Sequence, residues 1–383
     1  MFTTVKSSKR AIITSLSILS LAVGLGACGG GSSDTDSTPT GGGESQGETT
    51  ALKPPLEGNV SLTGAGASFP APLYQNWFVQ LNRAVPQLQV NYQSVGSGAG
   101  VEQFTQGTVD FGASDVAMTD EEIGQIERGT ILLPVTAGSI VMAYNLPGVD
   151  ELKLSRDAYV GIFKGDITKW NDPAIAEANP GLELPDQPIT VVHRSDGSGT
   201  TGVFTKHLSS ISPEWEASIG QGKSVEWPTA KGKFIGGKGN EGVTANIQQN
   251  EGSIGYIEYG YAKQNSIPVA TLQNSSGNFI APTDDSASAT LDAVTLPENL
   301  RAFITDPEGD DSYPIVTYTW ILAYETYDDP QKAIAVESMI QYALTEGQEQ
   351  SKALGYVPLP PSVRERVAAA ADVISPDYEI TLN

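Results

Sequence analysis

From residue 59 onward the chain alternates short apolar runs with segments of helical period. Residues 60–62 read as a strand, and 87–92 alternate apolar and polar in the strand period. Residues 70–84 suit a helix that opens on Pro70, where a missing N–H costs nothing. A shorter helix suits 100–106. Further strands are predicted over 109–113, 131–135 and 189–192, and the apolar run 139–144 follows closely on the second of these. A Gly-rich turn after 192 leads into a helix from about Thr201. Late in the chain come a strand over 315–324 and helices over 329–346 and about 363–373. No repeat is visible. Strands alternating with helices predict an α/β fold with mostly parallel sheets.

The residues before 59 follow neither period. Lys6, Lys9 and Arg10 precede the apolar run 11–23, which has signal-peptide length and is too short and interrupted to span a bilayer as a mature helix. It ends in Leu25-Gly26-Ala27-Cys28, which resembles a bacterial lipoprotein signal. In that pattern small residues admit the peptidase and the cysteine sulfur takes the lipid. The expectation is a signal peptide over 1–27, Cys28 as lipid anchor, and an exported protein on the periplasmic or cell-surface side of the cytoplasmic membrane. The alternative is a buried free cysteine behind an ordinary signal peptide. Cys28 is the only cysteine, so no intrachain disulfide forms. Residues 28–57 are expected to form a flexible tether, and its Gly/Ser/Thr-rich part, ~22 residues long, reaches about 25 Å.

Composition narrows the partners. The 383 residues leave room for two α/β domains or one large one, and 39% hydrophobic content supports a sizeable core. With 45 acidic and 22 basic residues the formal charge is −23, and removing 1–27 would take away three positive charges and no negative ones. Such a surface repels nucleic acid and anionic membrane, and it disfavours small anions at long range. An anionic ligand would therefore have to be held by a local, pre-organised pocket. Two histidines and one cysteine leave too few ligands for a zinc site, and neither metal nor cofactor is expected.

Three Gly/Ser-rich turns each lie between a predicted strand and a predicted helix: Gly64-Ala65-Gly66-Ala67-Ser68-Phe69, Gly96-Ser97-Gly98-Ala99-Gly100 and Asp196-Gly197-Ser198-Gly199-Thr200-Thr201. A helix N-terminus there offers unpaired N–H groups and about half a positive charge, and glycine lets backbone approach a ligand. Three such turns aimed at one point would suit a small tetrahedral oxyanion; taken singly, the hydroxyls read equally well as N-caps. Arg194, at a strand end, could present its fork to two oxygens or pair with Asp196, and Asp196 could orient it while leaving donors free. Asp115 could accept the O–H that phosphate keeps at neutral pH and sulfate lacks, or cap a helix near Thr119.

Several motifs closely resemble those of the bacterial periplasmic phosphate-binding proteins that serve the phosphate-specific ABC transporter. They are Leu62 to Pro72, Val109 to Asp115, Arg194 to Thr200, Gly237 to Gly242 and Gly255 to Tyr259, in the family's order and spacing over roughly 59–365. The resemblance implies a two-lobed type II periplasmic-binding-protein fold with phosphate in the cleft between lobes. The expected lobes are 58–136 plus 313–383, and 137–312. By motif position Ala67, Ser68 and Phe69 supply donors, mainly backbone N–H, and Ser97 falls on the second turn's serine. Asp115 falls on the proton-accepting aspartate, Arg194 on the family's arginine, and Ser198, Gly199 and Thr200 on the third helix start. Two departures stand out: Ser68 replaces a threonine with its hydroxyl kept, and Ser97-Gly98 replaces a Ser-Ser pair. The implied partners are inorganic phosphate and the permease and ATPase subunits of the transporter, with the chain itself a monomer.

Rival readings are a phosphate-ester hydrolase and a binder of another small oxyanion. Gly232 to Gly239 nearly spells a P-loop, but Gly239 stands where a magnesium-binding hydroxyl belongs and no strong strand is predicted before it. Ser198 lacks a Gly-x-Ser-x-Gly elbow for His193 or His207 to serve. Residues 306–311 carry no calcium-loop pattern.

Overall fold

The computed structural model describes residues 52–382. The signal segment, Cys28 and the tether up to residue 51 lie outside the described residues. The last part of the expected tether, 52–57, lies on the body: Leu52 is buried in the core and the Glu57 N–H donates to Gln331 Oε1 at 2.7 Å. A leucine in a polar stretch gains by being buried, which sets the body's start six residues before 58. Among the described residues no helix is long and apolar enough to cross a membrane.

Among the described residues eleven strands form: β1 Val60–Gly66, β2 Leu88–Ser94, β3 Phe111–Ser114, β4 Ile131–Asn145, β5 Lys153–Leu154, β6 Thr190–Arg194, β7 Lys233–Gly237, β8 Ser253–Glu258, β9 Thr271–Gln273, β10 Phe279–Ile280 and β11 Val316–Ala323. Eight join one sheet in the order β2-β1-β3-β11-β4-β8-β6-β7, and β10-β9-β5 make a small second sheet. At one end β1 runs parallel to β2 and β3, and at the other β6 runs parallel to β7 and β8. Between them β11 is antiparallel to β3 and β4, and β4 is antiparallel to β8. The expectation of parallel pairing thus holds at the two ends and fails in the middle. There β4 and β11 run antiparallel to each other, and β4 alone continues to pair with β8.

The expected separate runs 131–135 and 139–144 are one 15-residue strand. Its first half pairs with β11 and Ile140–Asn145 pairs with β8, so a single strand serves both ends of the sheet. Pro134 does not break it. Trp320 pairs with Pro134 and Thr319 with Thr136, so a bulge at Val135 absorbs the missing N–H.

The parallel ends direct the site. A ligand in such a sheet binds beyond the carboxyl ends of its strands. Here β1, β2, β6 and β7 each lead through a short loop into a helix, respectively Ala71–Ala84, Ser97–Thr105, Gly199–Ile211 and Gly239–Gln249. The first helix fixes its strand by burying Leu73, Tyr74, Trp77, Phe78 and Leu81, and Trp77 Nε1 donates to the Gly347 carbonyl at 2.8 Å. Gly66, at φ +152°, and Gly100 let the first and second turns touch backbone to backbone. A Cβ on Gly100 would lie 2.3 Å from Gly66 Cα.

Candidate functional site

The loops after these four strands are tied to one another by hydrogen bonds. The Gly98 N–H in the second turn donates to the Gly197 carbonyl in the third at 2.8 Å. Asn240, fully buried at the start of the helix Gly239–Gln249, joins the first turn to the third. Its N–H and Nδ2 donate to Ser68 Oγ at 2.9 and 3.0 Å, and Nδ2 also donates to Thr200 Oγ1 at 3.1 Å. The Asn240 Oδ1 accepts from the Glu258 N–H at 2.9 Å, which fixes the amide's orientation. Gly199 is packed so closely that an added Cβ would lie 2.4 Å from Ser97 Oγ and 2.7 Å from Asp115 Oδ2. The three Gly/Ser turns therefore converge, with Asp115 at their meeting point.

Each expected residue can be placed. The N–H groups of Ser68, Phe69, Ser97, Gly199 and Thr200 have no hydrogen-bond acceptor among the described residues. Helix starts leave such donors unpaired, and here they lie where the turns meet. Ala67 differs from expectation. Its N–H donates to the Ala113 carbonyl at 2.9 Å, a last rung to β3 just beyond the end of β1, so it is not free for a ligand. Ser198 is also occupied: its N–H donates to the Lys223 carbonyl at 2.8 Å, and its Oγ accepts from Thr201 N–H at 3.0 Å as an N-cap. Only its hydroxyl hydrogen remains to be directed inward.

Arg194 is buried, with 4% of its surface exposed. Its Nε and Nη2 donate to Asp196 Oδ1 and Oδ2 at 2.8 and 2.6 Å, and Nη1 donates to Thr200 Oγ1 at 3.2 Å. Of five guanidinium hydrogens, three are committed, leaving one on each terminal nitrogen. Asp196 is held in turn by the Gly239 N–H at 3.0 Å. Burial disfavours the charge on both partners. The Asp196 bonds nonetheless raise the Arg194 pKa, and Arg194 holds the Asp196 carboxyl below its ordinary value.

Asp115, 1% exposed, caps no helix. Thr119 caps the short helix Asp120–Ile123 in a reciprocal pair with Glu122. The Asp115 Oδ1 accepts from Thr319 Oγ1 at 2.9 Å and Oδ2 accepts from Ser97 Oγ at 3.5 Å. Burial pushes its pKa up to about 7, and the Thr319 hydroxyl, the Arg194 charge and the Ser97 and Thr200 hydroxyls resist that rise. It is thus a carboxyl poised to take or give a proton near neutrality.

Two residues of this network were not singled out in the sequence. Asn240 follows β7, the strand that was not recognised because Lys233-Phe234-Ile235 is short and only half buried. The signal available was a fourth strand–glycine–helix turn, with Gly239 at φ +68°. Thr319 lies in β11, where every residue is buried, so a polar side chain there must have a polar partner. Neither histidine reaches Ser198. His193 Nδ1 lies 2.8 Å from the Arg194 carbonyl oxygen, while His207 Nε2 lies 2.9 Å from the Tyr159 hydroxyl, with burial pushing the His207 pKa down to about 4.

Comparison with known proteins agrees with this architecture. A family model described as a PBP superfamily domain matches residues 36–346. The phosphate-binding protein PstS of Pasteurella multocida is 44% identical over 313 residues, covering 81% of this chain and 89% of that protein. The protein of the same name from Haemophilus influenzae is 43% identical over 307 residues, covering 79% and 90%. Among solved structures, the phosphate binding protein from Stenotrophomonas maltophilia is 22% identical with a TM-score of 0.66, covering 81% of this chain and 93% of that one. The ancestral soluble variant of the human phosphate binding protein is 21% identical with a TM-score of 0.68 over 81% and 93%. These two structures carry the fold, an α/β two-lobed periplasmic-binding-protein architecture, and the sequence relatives carry the family. The chain belongs to the PstS phosphate-binding proteins of the PBP superfamily.

Proposed function

We propose that this protein binds inorganic phosphate with high affinity and delivers it to the permease and ATPase subunits of an ABC-type importer. The observation that carries this reading is the convergence of five N–H groups, unpaired among the described residues, on a site whose buried guanidinium, Arg194, is already engaged by Asp196. Ser68, Phe69, Ser97, Gly199 and Thr200 donate through backbone, Ser198 through its hydroxyl, and Arg194 through its two remaining hydrogens. Ala67 shapes the first turn without donating. Asp115 accepts the phosphate O–H. Against sulfate an ionised Asp115 would leave two negative oxygens facing each other in a dry site, so discrimination should be strong above about pH 7 and weaken below it, where Asp115 takes up a proton.

The lobes that close on the ligand are 52–136 with 313–382, and 137–312, and β4 and β11 are the strands between them. Residues 296–301 lean on the first lobe: Arg366 donates to the Leu296 and Pro297 carbonyls and Trp320 to that of Leu300. The protein works as an exported monomer held to the membrane by a lipid on Cys28. Cys28→Ala should release it or block its maturation, and unchanged membrane retention would sink the anchor.

Calorimetry on the body from about Leu52 tests the central reading. Phosphate should bind tightly with one site per chain, while sulfate and a phosphate monoester should bind far more weakly. Comparable affinity for sulfate would favour a general oxyanion binder, and turnover of the ester would favour a hydrolase.

A further inference from the structure

Beside the cleft lies a cavity of about 240 Å³ with Asp115 and Thr317 in its wall, and Lys206, Lys223 and Phe303 among its other lining residues. We infer that this cavity is an entry vestibule in which Lys206 holds an incoming tetrahedral oxyanion before it passes to the cleft. The inference rests on the phosphate-binding reading and adds a route and a steering residue to it.

The two lysines are not equivalent. Lys223 Nζ lies 3.1 Å from Glu122 Oε1, so its charge is answered by a carboxylate. Lys206 pairs with no carboxylate among the described residues; its Nζ sits 4.1 Å over the Phe303 ring. A ring face holds an ammonium in place without cancelling its charge. Phe303 is 52% exposed, so this pair stands where the cavity meets solvent. Burial lowers the Lys206 pKa, which is the cost of holding a cation away from acidic partners.

The helix Gly199–Ile211 links the two places. Gly199, with its free N–H, and Lys206 are seven residues apart, hence on one face and about 10 Å apart along the axis. Gly202 and Val203, between them, line the same cavity. An anion leaving Lys206 therefore moves along the helix toward its positive end. The long-range field makes this matter. A chain of formal charge −23 repels phosphate at long range, so a cation without a carboxylate partner at the mouth helps to set where approach is productive.

Stopped-flow binding of inorganic phosphate in excess over protein tests this on the slope of observed rate against phosphate concentration. That slope is independent of the fraction of protein that is folded. Lys206→Gln should lower the association rate constant about threefold and Lys206→Glu about tenfold at low salt, both effects shrinking as ionic strength rises. The dissociation rate should stay near wild type. Phe303→Leu should give a smaller loss, since it keeps the charge and frees its position. Lys169→Gln, which removes an equal charge paired with Asp186, should leave the rate unchanged. Wild-type association in both Lys206 variants, or an equal loss in Lys169→Gln, would overturn the vestibule. A wild-type protein that fails to bind phosphate would instead overturn the reading on which it rests.

Discussion

The two parallel ends of the sheet bring different chemistry to one site. The β2-β1-β3 end supplies hydroxyls and N–H groups from Ser68, Phe69 and Ser97, followed by a buried carboxylate at Asp115. The β8-β6-β7 end supplies the cation, and it arrives with its own counter-ion: Arg194 Nη2 is 2.6 Å from Asp196 Oδ2. Counting side-chain charges, the site holds two carboxylates against one guanidinium. An anion there must be held mainly by neutral dipoles, which suits a ligand that has to be released again. On the proposed reading, recognising the ligand's proton and compensating its charge are separate tasks, given to separate ends. Asn240 and the Gly98–Gly197 bond join the two ends.

The largest break in this comparison should come from removing the cation. Arg194→Ala should cost about 2–5 kcal/mol of phosphate affinity, partly because it leaves Asp196 buried without its partner. Arg194→Lys should lose less, restoring charge without the fork. Affinity and thermal stability measured on one preparation separate the roles: unchanged affinity with lowered stability would make Arg194 purely structural.

The other end should reveal itself through pH. The native Asp115 pKa of about 7 lies above the ordinary 3.8, so the native state keeps a proton that the unfolded chain gives up. Ligand-free stability should therefore fall as pH rises from about 4 to about 7 and level off above that, by a few kcal/mol at most. Burial also raises Glu258 and Glu337, so the informative quantity is the difference from Asp115→Asn. Denaturant unfolding over this range should show a shallower decline in the variant, and parallel curves would contradict the raised pKa.

Cutting the link between the ends should have the smallest effect. Asn240→Ala removes donors to Ser68 and Thr200 while leaving ligand contacts in place, and should weaken phosphate binding by about 1–3 kcal/mol. If the loss is instead a faster dissociation with unchanged association, the link acts after capture. No change in either rate would show that the ends close without it.

Much of this was legible because parallel α/β ends write themselves locally. Strand, glycine turn and helix start follow within a dozen residues, so Ser68, Ser97 and Gly199 could be picked out one turn at a time. Arg194 with Asp196 was legible because two residues of separation let the fork meet the carboxylate. What stayed hidden depends on pairing between distant segments. The Ala67 N–H is lost to Ala113, and Thr319 faces Asp115, across strand contacts that no local pattern specifies. The continuity of β4 was hidden because Thr136-Ala137-Gly138 separates its two apolar runs, and the pairing with β11 that carries the strand through is not local. Asn240 was missed because a half-buried strand carries a weak apolar signal.

The central claim, that Asp115 reads the ligand's proton, is tested most directly by competitive titration of wild type and Asp115→Asn with phosphate and sulfate at about pH 8, where Asp115 is mostly ionised and phosphate keeps its proton. An asparagine offers an N–H where the carboxylate offered only acceptors. The account predicts that sulfate gains strongly on phosphate in the variant. In wild type the sulfate affinity should also rise as pH falls below about 7, where Asp115 takes up a proton and becomes a donor. Sulfate bound as poorly by Asp115→Asn as by wild type, at every pH, would contradict it.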